Sequence, residues 1–214
     1  MTTRGNIGFR GTRNGMWAES KGTNTSRFDP ANIEIRKVVL KNFDRIYRKN
    51  GMVIIQQPTH PAFLLPVTKL DIRSSLQAVP SDFTQGLAAI ILLGGSKKQK
   101  QTFKQRFAYG RYDDRVIYLH PYPKKYLESC LKSAPKPNVV NEYKRAGATI
   151  ARQRNRWFIR FDEKSLKQFY LRDVLIHELG HHVDAMCYGA KTHKKAEGFA
   201  EWFAVEYGYR PLLR

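Results

Sequence analysis

Apolar residues recur at helical spacing near the start of the chain and again near its end. The first set predicts a helix over 33–49, ended by Asn50-Gly51, and consists of Ile35, Val38, Val39, Phe43 and Ile46. Residues 1–30 before it are rich in Gly, Thr, Asn and Arg, which is typical of a basic, disordered tail. A single folded domain is therefore predicted over 31–214.

Short apolar runs between turn residues predict strands in the middle of the chain. We expect strands at 52–55, 88–93, 102–109, 116–120, 148–152 and 156–161, with hairpin turns at 110–114 and 153–155. A helix is expected over 69–78, a proline-rich loop over 57–66 and a helical turn over 127–132. Helices flank this mixed sheet instead of alternating with its strands, so the predicted class is α+β.

The last quarter of the chain predicts two helices, over 166–187 and 195–207, joined by a connector over 189–195. In the first helix one side is apolar and consists of Leu171, Val174, Leu175, Leu179, Val183 and Met186. The opposite side carries His177, Gly180, His181 and Asp184, where an ordinary surface helix would carry Lys or Glu. We therefore expect that side to face a cleft, with Gly180 leaving room for another element.

Residues 177–181 read His-Glu-Leu-Gly-His, which is an H-E-x-x-H motif. On a helix, positions i and i+4 share a face, so His177 and His181 can both reach one ion at about 2.0–2.1 Å. Glu178 lies about 100° around the helix, where it can approach a metal-bound water as a general base without being a ligand. Asp184, or less favourably Asp173, can accept a ring N–H from a ligand imidazole.

A catalytic zinc ion needs a third protein ligand, and the last helix offers one. Glu197 lies at the edge of an apolar stripe formed by Ala196, Phe199, Ala200, Phe203, Ala204 and Tyr207. Burying an unpaired carboxylate there would be costly, and a metal ion removes that cost. His193 in the connector and Glu201 one turn further on are alternative third ligands, and the residues alone leave this choice open.

Composition adds a strong positive charge, because 38 Lys and Arg residues against 18 Asp and Glu give +20. This excess favours nonspecific contact with nucleic acid, although no motif that reads DNA or RNA accompanies it. The chain shows neither an apolar run of membrane-spanning length nor the apolar block of a secretory signal. A cytoplasmic location without a membrane partner is expected, with Cys130 and Cys187 as reduced, partly buried thiols.

Two segments resemble gluzincin-type zinc metallopeptidases, in particular the compact ImmA/IrrE-like group: Leu175-Ile-His-Glu-Leu-Gly-His-His and Glu197-Gly-Phe-Ala-Glu-Trp-Phe-Ala. The resemblance implies a zincin-like fold, Zn²⁺ bound by His177, His181 and Glu197, and Glu178 as general base. It also implies hydrolysis of a protein or peptide substrate that pairs with strand 156–161. The short connector leaves room for His193 as the third ligand, as in SprT-like proteases, whose action near DNA would suit the charge.

The implied mechanism is metal-assisted hydrolysis, in which Glu178 takes a proton from water and passes it to the leaving amine. A second donor to the oxyanion is needed, and Tyr188, Tyr207 and Tyr209 are the candidates. Two rival functions stay open at this point. One is a zincin-fold protein whose main activity is binding nucleic acid, and the other is an interaction protein in which the H-E-x-x-H sequence is incidental.

Overall fold

The computed structural model describes residues 51–95, 109–189 and 192–210. The predicted tail over 1–30, the helix over 33–49 and nearly all of the strand over 102–109 lie outside the described residues. Within them the architecture is a mixture of helices and of parallel and antiparallel strands, so the predicted α+β class is confirmed.

A four-stranded mixed sheet forms the centre of the fold, in the order β1-β3-β5-β4. Its strands are β1 Val53–Gln56, β3 Ala89–Leu92, β4 Gly110–Asp113 and β5 Val116–Leu119; a separate pair is formed by β2 Phe63–Leu64 and β6 Tyr122–Pro123. Strands β1, β3 and β5 run parallel, and β4 is antiparallel and last in the order among the described strands. The strands predicted at 52–55, 88–93 and 116–120 are confirmed.

The two faces of this sheet pack into separate hydrophobic clusters. On β3, Ile90 and Leu92 join the large cluster that also contains the helices, whereas Ala89 and Ile91 join a smaller cluster on the other face. Since every side chain of β3 and β5 is buried, the alternation of a half-exposed strand is absent and a continuous apolar run takes its place.

The hairpin between β4 and β5 differs from the prediction, which placed its turn over 110–114. The observed turn is Asp114-Arg115, with φ angles of 45° and 64°, and Gly110 belongs to the strand. A Cβ atom on Gly110 would lie 2.7 Å from Val174 Cγ1 and 2.8 Å from Glu178 Cγ. The glycine is therefore needed for close packing against a helix, and it does not mark a turn.

A second, antiparallel sheet has the order β7-β9-β8, with β7 Glu128–Leu131, β8 Thr149–Gln153 and β9 Arg156–Arg160. The predicted hairpin of 148–152 and 156–161 is confirmed, with its turn at Arg154-Asn155. The helical turn predicted over 127–132 is wrong, because this segment pairs with β9 and buries Leu131 opposite Trp157. The prediction that strand 156–161 pairs with a peptide is also wrong, because β7 and β8 occupy both of its edges.

Helix α1 Lys69–Gln77 confirms the helix predicted over 69–78. It begins with a capping box in which the Thr68 hydroxyl accepts from the Asp71 backbone N–H and the Asp71 carboxylate accepts from Thr68 N–H. Helix α2 Pro137–Arg145 was not predicted. It starts with proline in its first turn and buries Val139 and Tyr143 in the large cluster.

The C-terminal part forms two long helical segments, as predicted over 166–187 and 195–207. The first comprises α3 Glu163–Gln168, a π-helical stretch Phe169–Leu175, α4 Ile176–Val183 and a second π-helical stretch Asp184–Tyr188. The second is α5 His193–Gly208, which begins after Thr192, whose hydroxyl accepts from Lys195 N–H. No helix within the described ranges combines the length and the apolar character needed to cross a bilayer.

Candidate metal centre

Helices α4 and α5 pack closely because α4 carries a glycine at their contact. A Cβ atom on Gly180 would lie 2.9 Å from Ala200 Cα and 3.0 Å from Phe203 Cβ, so any side chain there would push the helices apart. Gly180 lies between His177 and His181 in the sequence. The expected approach of another element at Gly180 is therefore observed, and that element is α5, which carries Glu197.

The structure brings His177, His181 and Glu197 together. The Nε2 atoms of His177 and His181 are 3.1 Å apart. Glu197 Oε1 lies 3.3 Å from His181 Nε2, and Glu197 Oε2 lies 3.6 Å from His177 Nε2. Ligand atoms about 2.0–2.1 Å from one ion in tetrahedral geometry are about 3.3 Å apart, which these separations approximate. The three residues can hold a metal ion.

The buried carboxylate supports the same conclusion. Burial raises the pKa of Glu197, but the neighbouring His177 and His181 rings lower it to about 2, so the group is ionised at neutral pH. Its Oε2 atom is buried and has no hydrogen-bond donor among the described residues. When both rings are neutral, as metal-binding histidines are, a buried anionic oxygen facing two imidazole nitrogens is costly unless a cation binds there, and these residues therefore fit a divalent metal ion.

The two histidines differ in their access to solvent. His177 is buried, whereas 14% of the His181 side chain is exposed, so the group opens to solvent on the His181 side. Burial lowers the pKa of His181, but its hydrogen bond to Glu197 and the charges of Glu178 and Asp184 together raise it above the usual value. Both neighbouring carboxylates are therefore close enough to act on this ring.

Glu178 lies beside the three residues and is not one of them. It is 1% exposed, and its carboxylate rests against the start of β4, since Oε1 would lie 2.8 Å from a Cβ atom on Gly110. Strand β4 therefore meets α4 at the position of the predicted general base. Glu178 is thus outside the group of three, although its charge acts on the His181 ring, and its role as general base stays a prediction.

The two alternative third ligands lie further out. His193 is the first residue of α5, and its Nε2 atom is 3.7 Å from Glu197 Oε1, with 40% of the side chain exposed. It faces the carboxylate from the solvent side and is not part of the group of three. Glu201, one turn further along α5, is half-buried and also outside that group.

Asp173 has a different role from the predicted one. Its two oxygens accept hydrogen bonds from the Arg145 guanidinium and from the Tyr209 hydroxyl. The Arg145 guanidinium also lies 4.7 Å from the centre of the Tyr209 ring. This cluster, Arg145–Asp173–Tyr209, joins α2, the π-helical stretch before α4 and the residue after α5, and sequence reasoning did not find it.

One of the three candidate oxyanion donors has its hydroxyl engaged elsewhere. Tyr209 donates its hydroxyl to Asp173, and Tyr207 packs edge-on against Phe83. Tyr188 is 70% exposed and lies against Phe199 of α5. Of the three tyrosines, Tyr188 is therefore the one whose side chain reaches solvent most freely.

His182, the third histidine of α4, holds the helix in place. It is buried, its Nε2 atom lies 2.9 Å from the Gln85 carbonyl oxygen, and its Nδ1 atom lies 3.2 Å from the Tyr112 hydroxyl. Burial lowers its pKa, although the hydrogen bond to Gln85 acts in the opposite direction. Tyr112 belongs to β4, so His182 joins α4 to the same strand that Glu178 contacts.

Comparisons with protein-family models, with curated proteins and with solved structures return no significant match for this chain. A functional assignment therefore depends on the chemistry of the chain's own residues at this centre.

Proposed function

We propose that the chain is a zinc-dependent metallopeptidase with a zincin-like fold of the gluzincin type. The observation that carries the proposal is the convergence of His177, His181 and Glu197, with Glu178 beside them. The first two residues come from one helix and the third from another. This meeting of distant segments supports a functional centre more strongly than the H-E-x-x-H sequence alone.

The donor set favours zinc over other divalent ions. Two imidazole nitrogens and one carboxylate oxygen are the protein ligands of many catalytic zinc sites, which keep a fourth position for water or substrate. The partial exposure of His181 gives access to such a position. Zinc in such a site lowers the pKa of water toward about 7 and polarises a substrate carbonyl.

Glu178 is the proton-transfer group of the proposed reaction. Its carboxylate accepts the proton of the attacking water and passes it to the amine nitrogen as the peptide bond breaks. The contact with Gly110 holds the side chain against β4 and away from bulk solvent. The side chain is therefore positioned by packing, which suits a group that must meet substrate in one orientation.

Strand β4 is the proposed binding edge for a peptide substrate. It is the last strand in the described order β1-β3-β5-β4, with β5 on its inner side. An extended peptide can add to such an edge through backbone hydrogen bonds. Because Gly110 of β4 contacts Glu178, a peptide on this edge would pass next to the metal centre.

Metal analysis together with a peptidase assay tests this proposal. We expect about one zinc per chain in the purified protein, no zinc in His177→Ala, and full zinc in Glu178→Gln. Glu178→Gln should reduce cleavage of a denatured protein substrate by at least about 100-fold, because general-base catalysis contributes 10²–10⁴. A wild-type protein that binds no zinc, or a Glu178→Gln variant as active as wild type, would disprove the proposal.

A further inference from the structure

The second sheet carries a half-buried aromatic side chain, Phe158, between two exposed arginines. Side chains alternate along β9, so Arg156, Phe158 and Arg160 share one face while Trp157 and Ile159 share the other. Ile159 is 1% exposed and Trp157 packs against the large core cluster. Phe158 belongs to neither cluster found among the described residues, so its face of the sheet is the outer one.

The neighbours of Phe158 on the adjacent strands are small. It is paired with Cys130 of β7 and with Ala151 of β8. These two cross-strand neighbours are too small to cover the ring of Phe158. Phe158 is half-buried, and the stems of the flanking arginines are the long side chains closest to it on its own strand.

The positive charge around this face is dense. Residues 149–161 contain four arginines, all with exposed side chains, and the register places one acidic residue, Glu128 of β7, opposite Arg160. Arg154 occupies the hairpin turn at φ 44°, in the left-handed region that favours Gly or Asn. Exposed Lys132 and Lys136 follow β7 on the other side of β9. Part of the net charge of +20 is therefore clustered around the ring of Phe158.

We propose that this outer face, formed by Arg156 and Phe158 together with the hairpin tip, binds single-stranded nucleic acid. The arginines contact phosphates, and an unstacked base lies on the Phe158 ring. A single strand fits better than a duplex, because only an unstacked base offers its face to a side chain. It also fits better than an acidic protein, which would need the arginines but not the ring.

The proposed face is independent of the metal centre. Strand β8 packs against α2, whereas the ligand residues lie on α4 and α5. Nucleic acid binding should therefore survive His177→Ala, and zinc binding should survive substitution of Phe158. The failure of either proposal can be recognised without the other.

Fluorescence anisotropy with a fluorescein-labelled 20-nucleotide poly-dT and the full chain tests the role of the ring and of the charge. Phe158→Ala should weaken binding by at least about 5-fold, the lower limit for loss of one stacked base, and Phe158→Tyr should restore it. Arg156→Gln should lower the slope of log affinity against log salt by about 0.7, the value for one phosphate contact on a single strand. Lys164→Gln, an exposed lysine on α3, is the matched control, with less than a twofold change expected.

The two cysteines provide a second test at residue level. Cys130 lies directly opposite Phe158, whereas Cys187 is exposed at the end of the π-helical stretch after α4. Poly-dT should slow alkylation of Cys130 and leave that of Cys187 unchanged. Equal affinity of Phe158→Ala and wild type would overturn the proposal. So would protection of Cys130 by polyglutamate as strong as that by poly-dT, or equal competition by a duplex.

Discussion

Two buried carboxylates lie where α4 and the π-helical stretch before it pack against α5. They differ in the hydrogen-bond donors that surround them. Asp173 is 1% exposed and receives hydrogen bonds from Arg145 and Tyr209, so the protein itself supplies a cation and a hydroxyl donor. Glu197 is 4% exposed and faces two imidazole nitrogens, with an oxygen that no described group donates to. From these contacts we infer that Asp173 stabilises the fold, whereas Glu197 is suited to binding a metal ion.

The same contact explains how both groups are held. Gly180 allows Ala200 to approach α4, and near the other end of α5 a Cβ atom on Gly208 would lie 2.9 Å from the Arg172 carbonyl oxygen. The two glycines thus let the antiparallel segments approach at two points. Glu197 lies three residues before Ala200 on α5, so its position relative to His177 and His181 depends on the close packing at Gly180.

The largest expected effect is the loss of stability on removing Asp173. Asp173→Ala leaves the half-buried Arg145 without its partner, and breaking a buried ion pair in this way costs about 3–5 kcal/mol. Urea denaturation followed by circular dichroism measures the change in the free energy of unfolding. Glu206→Ala is the control, because its pair with exposed Arg210 on the surface contributes less than about 1 kcal/mol. Similar losses in the two variants would show that Asp173 is not a structural anchor.

Gly180→Ala should have the next largest effect, since it acts on the helix contact itself. The added methyl group would meet the Ala200 backbone, and overpacking of this kind costs about 1–3 kcal/mol. Because the strain separates α4 from α5, zinc affinity should fall as well, although no ligand is changed. Gly198→Ala is a matched control on α5, where an added Cβ atom meets no other atom within 4 Å. Retention of wild-type stability and zinc affinity by Gly180→Ala would contradict the account of the contact.

These two sites also show which features the sequence could predict. The helix pair and the shared face of His177 and His181 follow from local spacing, which is visible in the sequence. The choice of Glu197 over His193 and Glu201 depends on the packing of α5 against α4, which the sequence leaves open. The cluster of Asp173 with Arg145 and Tyr209 joins three distant segments, and no local pattern marks such a contact. The sequence likewise predicts a turn at Gly110, whereas the structure places this glycine in β4. Its packing against Glu178 is a tertiary contact that no local pattern indicates.

The segment that forms β7 is predicted as a helical turn, and it too depends on a tertiary contact. Its sequence Glu-Ser-Cys-Leu has a single large apolar residue, Leu131, and therefore no period that distinguishes a strand from a helical turn. Pairing with β9 decides its conformation, and that partner lies far along the chain. The existence of strongly periodic elements was predictable, whereas elements defined by their partners were not.

Glu197→Ala should affect zinc affinity more than stability, whereas Asp173→Ala should affect mainly stability. Without metal, the loss in the free energy of unfolding should be smaller than that of Asp173→Ala, because Glu197 faces two imidazole nitrogens at 3.3 and 3.6 Å, whereas Asp173 accepts hydrogen bonds from Arg145 and Tyr209. Zinc affinity should fall at least about 10-fold, or about 1.4 kcal/mol, because a ligand is lost. Competition titration with a zinc chelator measures the affinity. A variant that loses stability as Asp173→Ala does, yet binds zinc like the wild type, would exchange the roles of the two carboxylates.

The smallest effect on zinc binding is expected for His193→Ala. This variant tests whether His193 is a metal ligand or only a neighbour of the ligand Glu197. His193 lies 3.7 Å from Glu197 Oε1 on the exposed side, so it can orient the carboxylate but stands outside the group of three. Zinc stoichiometry should stay at about one per chain, and affinity should change by less than about 10-fold, below the 10–100-fold typical of groups that fix a ligand. Cobalt substitution adds a direct readout, because the visible spectrum of bound Co²⁺ responds to its ligands. A spectrum that changes in His193→Ala but not in Glu197→Ala would make His193 the third ligand.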